Sequence, residues 1–527
     1  MKVLMIKFLL TMTAGLSVTA CQTTLDADFL IKNGDVYTGE GSLEHNLSVA
    51  TKGNNIIFVG ADPSHIRARQ YLDATGMIVA PGFIDPHTHA RIDLESEETE
   101  TRKNSAFRLQ GVTTVVIGND GGGDPDIYNQ ASRLTDQGIG TNVGLFVGHG
   151  AVRKQVMNSD NRPPTSGELQ GMESLTATAM EDGALGISTG LFYSPGSYSE
   201  TDEIIALAKI VARDGGIYDS HIRDESNYNI GLKAAVEEVI EIGRQAKIPV
   251  HISHIKALGV DVWGQSDEII QMINAARKNG VNVTADQYPW TASSTSLSSA
   301  FIPSRLKAGG EKIYQNRLSN PKLRSKILLE IKENIRRRGG ANAVLLTRSK
   351  PEWQNKRLDE LAHEFNMTPE QMVVHIAQNG DSKIASFNMN DADIEAFMIQ
   401  PWVMTGSDGG SGHPRKFASF PRKYETYVIN KQVLTLTDFL YRSSGLTAQT
   451  LNLCDRGFLK PDFKADIVIF DPSTYSPKAD YENPARLSEG VKYLLVNGEL
   501  AVENGQSLPN LSGTVVNRCS KTEALPK

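Results

Sequence analysis

The sequence predicts an α/β fold, a TIM-like (β/α)8 barrel carrying a small β-sandwich domain assembled from both chain ends. Three observations lead there. Eight short apolar runs recur through the centre of the chain with amphipathic stretches between several of them, and alternation of strand and helix argues for a parallel sheet. The runs end in turn on His, Asp, His, Thr, His, His, Asp and Asp, and a barrel gathers its reactive side chains where its strands end. Both flanks are β-like and punctuated by turn residues, the pattern of a small separate sheet structure.

The first twenty residues stand outside this fold. Lys2 and Lys7 precede an apolar run from Phe8 to Leu16, then Val18-Thr-Ala-Cys21. This is the layout of a secretory signal, with an apolar run too short for a permanent membrane span. Val18 to Cys21 also resembles a bacterial lipobox, so residues 1–20 are expected to be removed and Cys21 to carry lipid. Gln22 after the cysteine favours the outer membrane by the habit of such lipoproteins. The expected location is the bacterial cell envelope, at the outer membrane facing the periplasm, with membrane contact only through the anchor on Cys21. That compartment permits Cys454 and Cys519 to pair, and the sequence leaves the pairing open.

Residues 25–80 and 457–520 are assigned to the sandwich. Phe29-Leu-Ile31, Leu47-Ser-Val49 and Ile56-Ile-Phe-Val59 are separated by Asn33-Gly34, Gly39 and Gly53-Asn-Asn55, and the far end supplies Ala465 to Phe470 and Val491 to Val496. Residues 81–456 form the barrel. Its first strand runs through Pro81-Gly82 and Phe83-Ile84 to His87 and His89. Gly111 to Ile117 follows and ends at Asp120, then Asn142 to Val147 at His149, Ala184 to Ile187 at Thr189, and Gly216 to Tyr218 at His221. Ile248 to Ile252 ends at His254, Val281 to Thr284 at Asp286, and Trp402 to Met404 at Asp408. Glu203 to Ala212 and Lys233 to Ala246 read as covering helices. Over a hundred residues separate Asp286 from Asp408, and connections of that length are usually functional. Residues 301–343 are assigned to a lid-like insertion, with the seventh barrel helix after it.

Composition excludes some roles. A formal charge of −7 leaves no basic stripe to neutralise phosphates, which argues against nucleic acid. Arg336-Arg-Arg338 closes a charged helical pattern and reads as a solvated face. Three cysteines are too few for a disulfide framework in a chain this long.

The chemistry begins at His87-Thr-His89. Residues two apart on a strand share a face, and two neutral imidazoles side by side are half of a zinc site. The whole string Ala80 to His89 resembles the first barrel strand of the amidohydrolase superfamily. Ser220-His-Ile-Arg-Asp-Glu225, His251-Ile-Ser-His-Ile-Lys256, Asp286-Gln-Tyr-Pro-Trp290, Gly406-Ser-Asp-Gly409, His413-Pro-Arg415 and Phe420-Pro-Arg422 are similar to strings of the N-acyl-D-amino-acid deacylases. That resemblance covers roughly residues 28–505 and implies a site for one or two Zn2+ ions. His87, His89 and Asp408 would hold one metal, and His221 and His254 the other. Typical members close the second strand with a bridging cysteine. Here the string is Gly118-Asn-Asp120-Gly, so Asp120 is expected to bridge with harder oxygen ligands, with Asp124 as the fallback.

The resemblance further implies hydrolysis of N-acyl-D-amino acids to a carboxylic acid and a D-amino acid, with Asp408 as general base and then acid. Arg415 is expected to clamp the substrate α-carboxylate, helped by Tyr193, Lys256 and Ser294. Arg223 and His149 lie near strand ends without an assigned role. Dipeptides with a C-terminal D-residue are the nearest alternative substrates. Hydantoinase-like members carry a carboxylated lysine at the fourth strand end, where this chain has Ile187-Ser-Thr189. A non-catalytic ligand-binding lipoprotein would be expected to have lost ligands, and none of the four histidines is lost. The residues after Trp290 offer Ser, Thr and Leu before Arg305, so neutral or apolar substrate side chains are expected.

Overall fold

The computed structural model describes residues 24–519; the signal segment and Cys21 lie outside them. Eight parallel strands form the central sheet: β1 (Phe83–Asp85), β2 (Val112–Ile117), β3 (Asn142–Gly148), β4 (Gly186–Gly190), β5 (Ile217–His221), β6 (Val250–Ile252), β7 (Val283–Gln287) and β8 (Val403–Thr405). Successive strands from β1 to β8 pair in chain order. The ring closes beyond the ends of β1 and β8. There Thr88 and Gly409 form a parallel bridge, the Asp408 N–H donates to the His87 carbonyl at 2.9 Å, and the His89 N–H donates to the Gly409 carbonyl at 3.0 Å.

The strands read as they do because both faces are covered. Every residue of Val112–Ile117 is buried, as a parallel barrel strand with side chains inside and helices outside requires. The helix Leu232–Ala246 shows the complementary pattern. Its buried positions Leu232, Ala235, Val236, Val239, Ile242 and Ala246 fall on one stripe, the 3.6-residue period of a helix with one face on the sheet.

Strands from both termini form a second sheet, in which Ile78–Pro81 pairs with Ile467–Phe470 and Leu25–Val36 pairs with Glu44–Lys52. Leu25–Val36 meets Ile66–Asp73 along its first part and Ile78–Pro81 along its last, so the sheet branches around Ile31, Val49, Leu72, Val79, Ile467 and Leu495. The chain passes from this sheet into the barrel at Gly82, where an added Cβ would lie 2.3 Å from the Thr113 side chain. Only glycine fits that crossing. The C-terminal tail departs from the expected boundary: Val515–Val516 pairs with β3 of the barrel. Cys454 and Cys519 are disulfide-bonded, with Cα atoms 5.3 Å apart.

The insertion between β7 and β8 is wider than residues 301–343. It opens on Ala292–Ser296 and runs to Lys383–Phe387, which pairs antiparallel with both Ala292–Ser296 and Val344–Arg348. Leu297, Phe301, Ile331, Leu346, Leu358 and Met372 pack into a core of its own. The helices Leu358–Glu364 and Pro369–Gln378 contribute to that core, so the helix that precedes β8 is Asp391–Met398. The opening strand, Ala-Ser-Ser-Thr-Ser, has no apolar alternation to announce it.

Phe83 joins the two halves of the molecule. It is fully buried, stacks on Phe420 at 5.5 Å, meets Phe439 edge-on at 5.5 Å, and lies 6.3 Å from Phe470 of the terminal sheet. Phe83→Ala leaves a cavity at this junction and is expected to cost about 3–5 kcal/mol, read as a lower urea midpoint in equilibrium unfolding.

Candidate metal centre

The six side chains expected to hold metal converge at the strand ends. His87, His89, Asp120 and Asp408 form one group whose ligand atoms lie within 4.8 Å of one another, and Asp120, His221 and His254 form a second. Asp120 belongs to both. Its Oδ1 lies 3.5 Å from His87 Nε2, 3.6 Å from His221 Nδ1 and 3.5 Å from His254 Nε2, while its Oδ2 lies 3.5 Å from His89 Nε2. These separations are too long for good hydrogen bonds. They match the edge of a tetrahedron around an ion with bonds near 2.1 Å, roughly 3.4 Å.

Local backbone geometry aims three of these groups. Asp120, His254 and Asp408 have φ values of 57°, 38° and 48°. A left-handed turn outside glycine costs of order 1 kcal/mol and persists where the surroundings enforce it. At each strand end it swings the side chain inward over the barrel mouth. Gly190 leaves room for the Asp120 turn, since a Cβ there would sit 2.2 Å from the Asp120 carbonyl oxygen.

The donor set fits a cation. Both ring nitrogens of buried His87 and the Oδ1 of Asp120 have no hydrogen-bond partner, a costly arrangement unless another group binds them. His221 Nδ1 and His254 Nε2 face each other at 2.9 Å. Burial alone would push the His87 imidazole down, but Asp120, Asp408 and Asp286 outweigh it and lift it to about 10. Burial would raise Asp120, yet His87, His221 and His254 hold it well below the usual carboxylate range. The field at the centre therefore favours positive charge.

Supporting groups fix the ligands. The His254 N–H donates to Asp286 Oδ2 at 3.1 Å, and His251 Nε2 lies 2.9 Å from the same oxygen. Asp286 is thus buried beneath the site rather than presented at its mouth. His254 Nδ1 lies 3.1 Å from Glu225 Oε1 and 2.7 Å from Lys256 Nζ. Glu225 also pairs with Lys256, so sequence reasoning missed a buried carboxylate that orients a ligand. Its signal was the i+4 spacing from His221 in a string already noticed.

A cavity of about 390 Å³ opens over the centre, lined by Tyr193, Lys256, Ser294 and Arg415 among others. Tyr193 packs on the His221 ring at 4.6 Å. Lys256 is engaged by Glu225 and His254, so its ammonium is not free for substrate alone. Arg415 Nη2 lies 2.8 Å from Asp408 Oδ1, while its Nε and Nη1 have no protein partner. Tyr288, whose hydroxyl is buried and unpartnered, lines the same wall and was not anticipated. Asp124, the fallback ligand, instead pairs with Arg91 at 3.0 Å and belongs to neither group. His149 is buried against Glu203 at 2.7 Å, and Arg223 pairs with Glu238 at 2.8 Å; both serve packing. Arg338 corrects the expectation of a solvated face: it is 2% exposed and lines the cavity.

No family model matches the chain. Over 500 residues it is 31% identical to the D-aminoacylase of Alcaligenes xylosoxydans xylosoxydans, spanning 89% of this chain and 93% of that one. The N-acyl-D-glutamate deacylase of the same organism is 31% identical over 501 residues, again spanning 89% and 93%. Among solved structures, the N-acyl-D-glutamate deacylase of Bordetella bronchiseptica, complexed with zinc and a phosphonate mimic of the reaction's tetrahedral intermediate, superimposes with a TM-score of 0.79. That pair is 29% identical and covers 94% of this chain and 100% of the other.

Replacing Asp120 removes an oxygen common to both ligand groups. Asp120→Ala is expected to lower zinc affinity by more than the ~10–100-fold that even an outer partner contributes, whereas Asp120→Cys retains the metal. Elemental analysis after dialysis against a weak chelator measures both.

Proposed function

The chain belongs to the D-aminoacylase family of metal-dependent amidohydrolases, and from that membership we propose that it hydrolyses the amide bond of N-acyl-D-amino acids, releasing a carboxylic acid and a D-amino acid. The observation that carries this reading is the convergence of four imidazoles and two carboxylates at the strand ends, with buried donor atoms that have no protein partner. His87, His89, Asp120 and Asp408 would hold one zinc ion and Asp120, His221 and His254 the other, with Asp120 as the bridge. When bound, zinc polarises the scissile carbonyl and lowers the pKa of a water ligand toward ~7.

The remaining chemistry belongs to the chain. Burial would raise Asp408, but Arg415, His89, His254 and His87 hold it far below the usual carboxylate range. It is therefore a carboxylate at neutral pH, placed to take a proton from the attacking water on Oδ1 or Oδ2 and pass it to the leaving nitrogen. Arg415 lines the cavity with two nitrogens, Nε and Nη1, that have no hydrogen-bond partner, and a planar guanidinium suits the substrate α-carboxylate. Tyr193, Ser294 and Tyr288 shape the wall around the acyl-amino acid.

Purified protein should hydrolyse N-acetyl-D-amino acids and leave their L-enantiomers; preferential turnover of L-substrates would sink the reading. A dipeptide with a C-terminal D-residue serves as the competing substrate in the same assay. Asp408→Asn is expected to lower kcat by about 10²–10⁴-fold, the usual share of general acid–base catalysis.

We also place the protein in the bacterial cell envelope, anchored by lipid on Cys21. The signal-like layout of residues 1–20 supports this, as does the disulfide between Cys454 and Cys519, a bond that persists in oxidising compartments. Cys21→Ala should release the protein from the membrane fraction, and mass spectrometry of the native N-terminal peptide should show an acylated Cys21.

A further inference from the structure

Away from the metal centre, the wall of the cavity carries three cations with no carboxylate partner among the described residues: Arg338, Arg348 and Lys383. The acids that line the same cavity are committed elsewhere, Asp408 to Arg415, Glu225 to Lys256, and Asp120 to the imidazoles.

Arg338 is the anchor of the three. It caps the helix Pro321–Arg337 and is 2% exposed. Its hydrogen-bond partners are neutral. Nη1 donates to Ser293 Oγ at 3.5 Å and, with the Asn388 amide oriented to suit its surroundings, to the Asn388 oxygen at 3.1 Å. The guanidinium lies 5.7 Å from the Tyr228 ring and 5.8 Å from the Phe301 ring, and its Nε has no partner. A buried charge without a counter-charge is strongly unfavourable unless something binds it.

Arg348 and Lys383 make the second observation. They are register partners on the two antiparallel strands of the insertion, and like charges in facing positions destabilise a sheet. Neither has an ion pair among the described residues. Both residues are exposed, and both line the cavity.

We infer that the cavity receives a substrate with a second carboxylate, held by Arg338 with Arg348 and Lys383 at the rim, in addition to the α-carboxylate met by Arg415. This rests on the deacylase reading and narrows it to dianionic N-acyl-D-amino acids. It reverses the expectation of neutral or apolar side chains, which considered only the residues following Trp290 in sequence. The second carboxylate can sit on the amino-acid side chain or on the acyl group; both present the same planar anion to a guanidinium fork.

The test is kcat/KM of the zinc-loaded enzyme for N-acetyl-D-glutamate against N-acetyl-D-glutamine, and for N-succinyl-D-methionine against N-acetyl-D-methionine. One dianion is expected to exceed its neutral counterpart by about 10²-fold or more, as a site built for a polar group discriminates. The pair that shows the preference identifies where the second carboxylate lies. Arg338→Met should bring that ratio down toward one, and Arg348→Gln with Lys383→Gln should lower it by a smaller factor. Equal or faster turnover of both neutral substrates by the wild type overturns the inference while leaving deacylation intact, and this comparison needs no variant to fold. A ratio that survives Arg338→Met in a folded protein overturns it as well. If no N-acyl-D-amino acid is hydrolysed, the deacylase reading falls and takes this inference with it.

Discussion

The site depends on the closure of the barrel between its first and last strands. Backbone hydrogen bonds from Asp408 to His87 and from His89 to Gly409 set the ends of β1 and β8 side by side. Without that closure, His87 and His89 would stand more than three hundred residues in sequence from Asp408 with nothing to fix their separation. With it, His89 Nε2 and Asp408 Oδ1 lie 3.1 Å apart. Asp85 strengthens the joint from inside the barrel, accepting N–H bonds from Ser407 at 3.1 Å and from His87 at 3.3 Å. Burial pushes this carboxyl up to about 7 against those bonds.

Asp120 does for the middle of the ring what closure does for its seam. A single carboxylate oxygen faces three imidazoles at nearly equal distances, so its charge is shared by both ligand groups. The resemblance places a cysteine at this position in typical members. A carboxylate offers two oxygens where a thiolate offers one sulfur, and the second oxygen here faces His89. Harder ligands shift metal preference away from soft ions. The left-handed backbone at Asp120 is the local condition for this geometry, and the small residues beside it allow the turn.

Above the centre, the insertion contributes a wall of a different character. The barrel supplies ligands from strand ends, whereas the insertion supplies hydroxyls from Ala292–Ser296 and cations from Arg338, Arg348 and Lys383. It has a hydrophobic core of its own, and Tyr228 from the barrel packs on Arg338. The metal ligands therefore come from the barrel, while the cavity wall is shared between the barrel and the insertion.

Much of the barrel was legible in the sequence because a parallel strand buried on both faces must be an apolar run, and the residue just past it must stand at the mouth. His87, His89, Asp120, His221, His254 and Asp408 are visible for that reason. The sequence by itself thus determined the order of the strands and the identity of the groups at their ends. Only the tertiary structure decided which polar residues from elsewhere join them. Glu225 reaches His254 across a loop, Asp124 turns away to Arg91, and Arg338 is buried where its neighbours Arg336 and Arg337 look like a solvated helix end. The physical reason is that Arg338 meets Ser293 across 45 residues of chain, on a strand too polar to be recognised. Its burial follows from packing between segments, which no local pattern records.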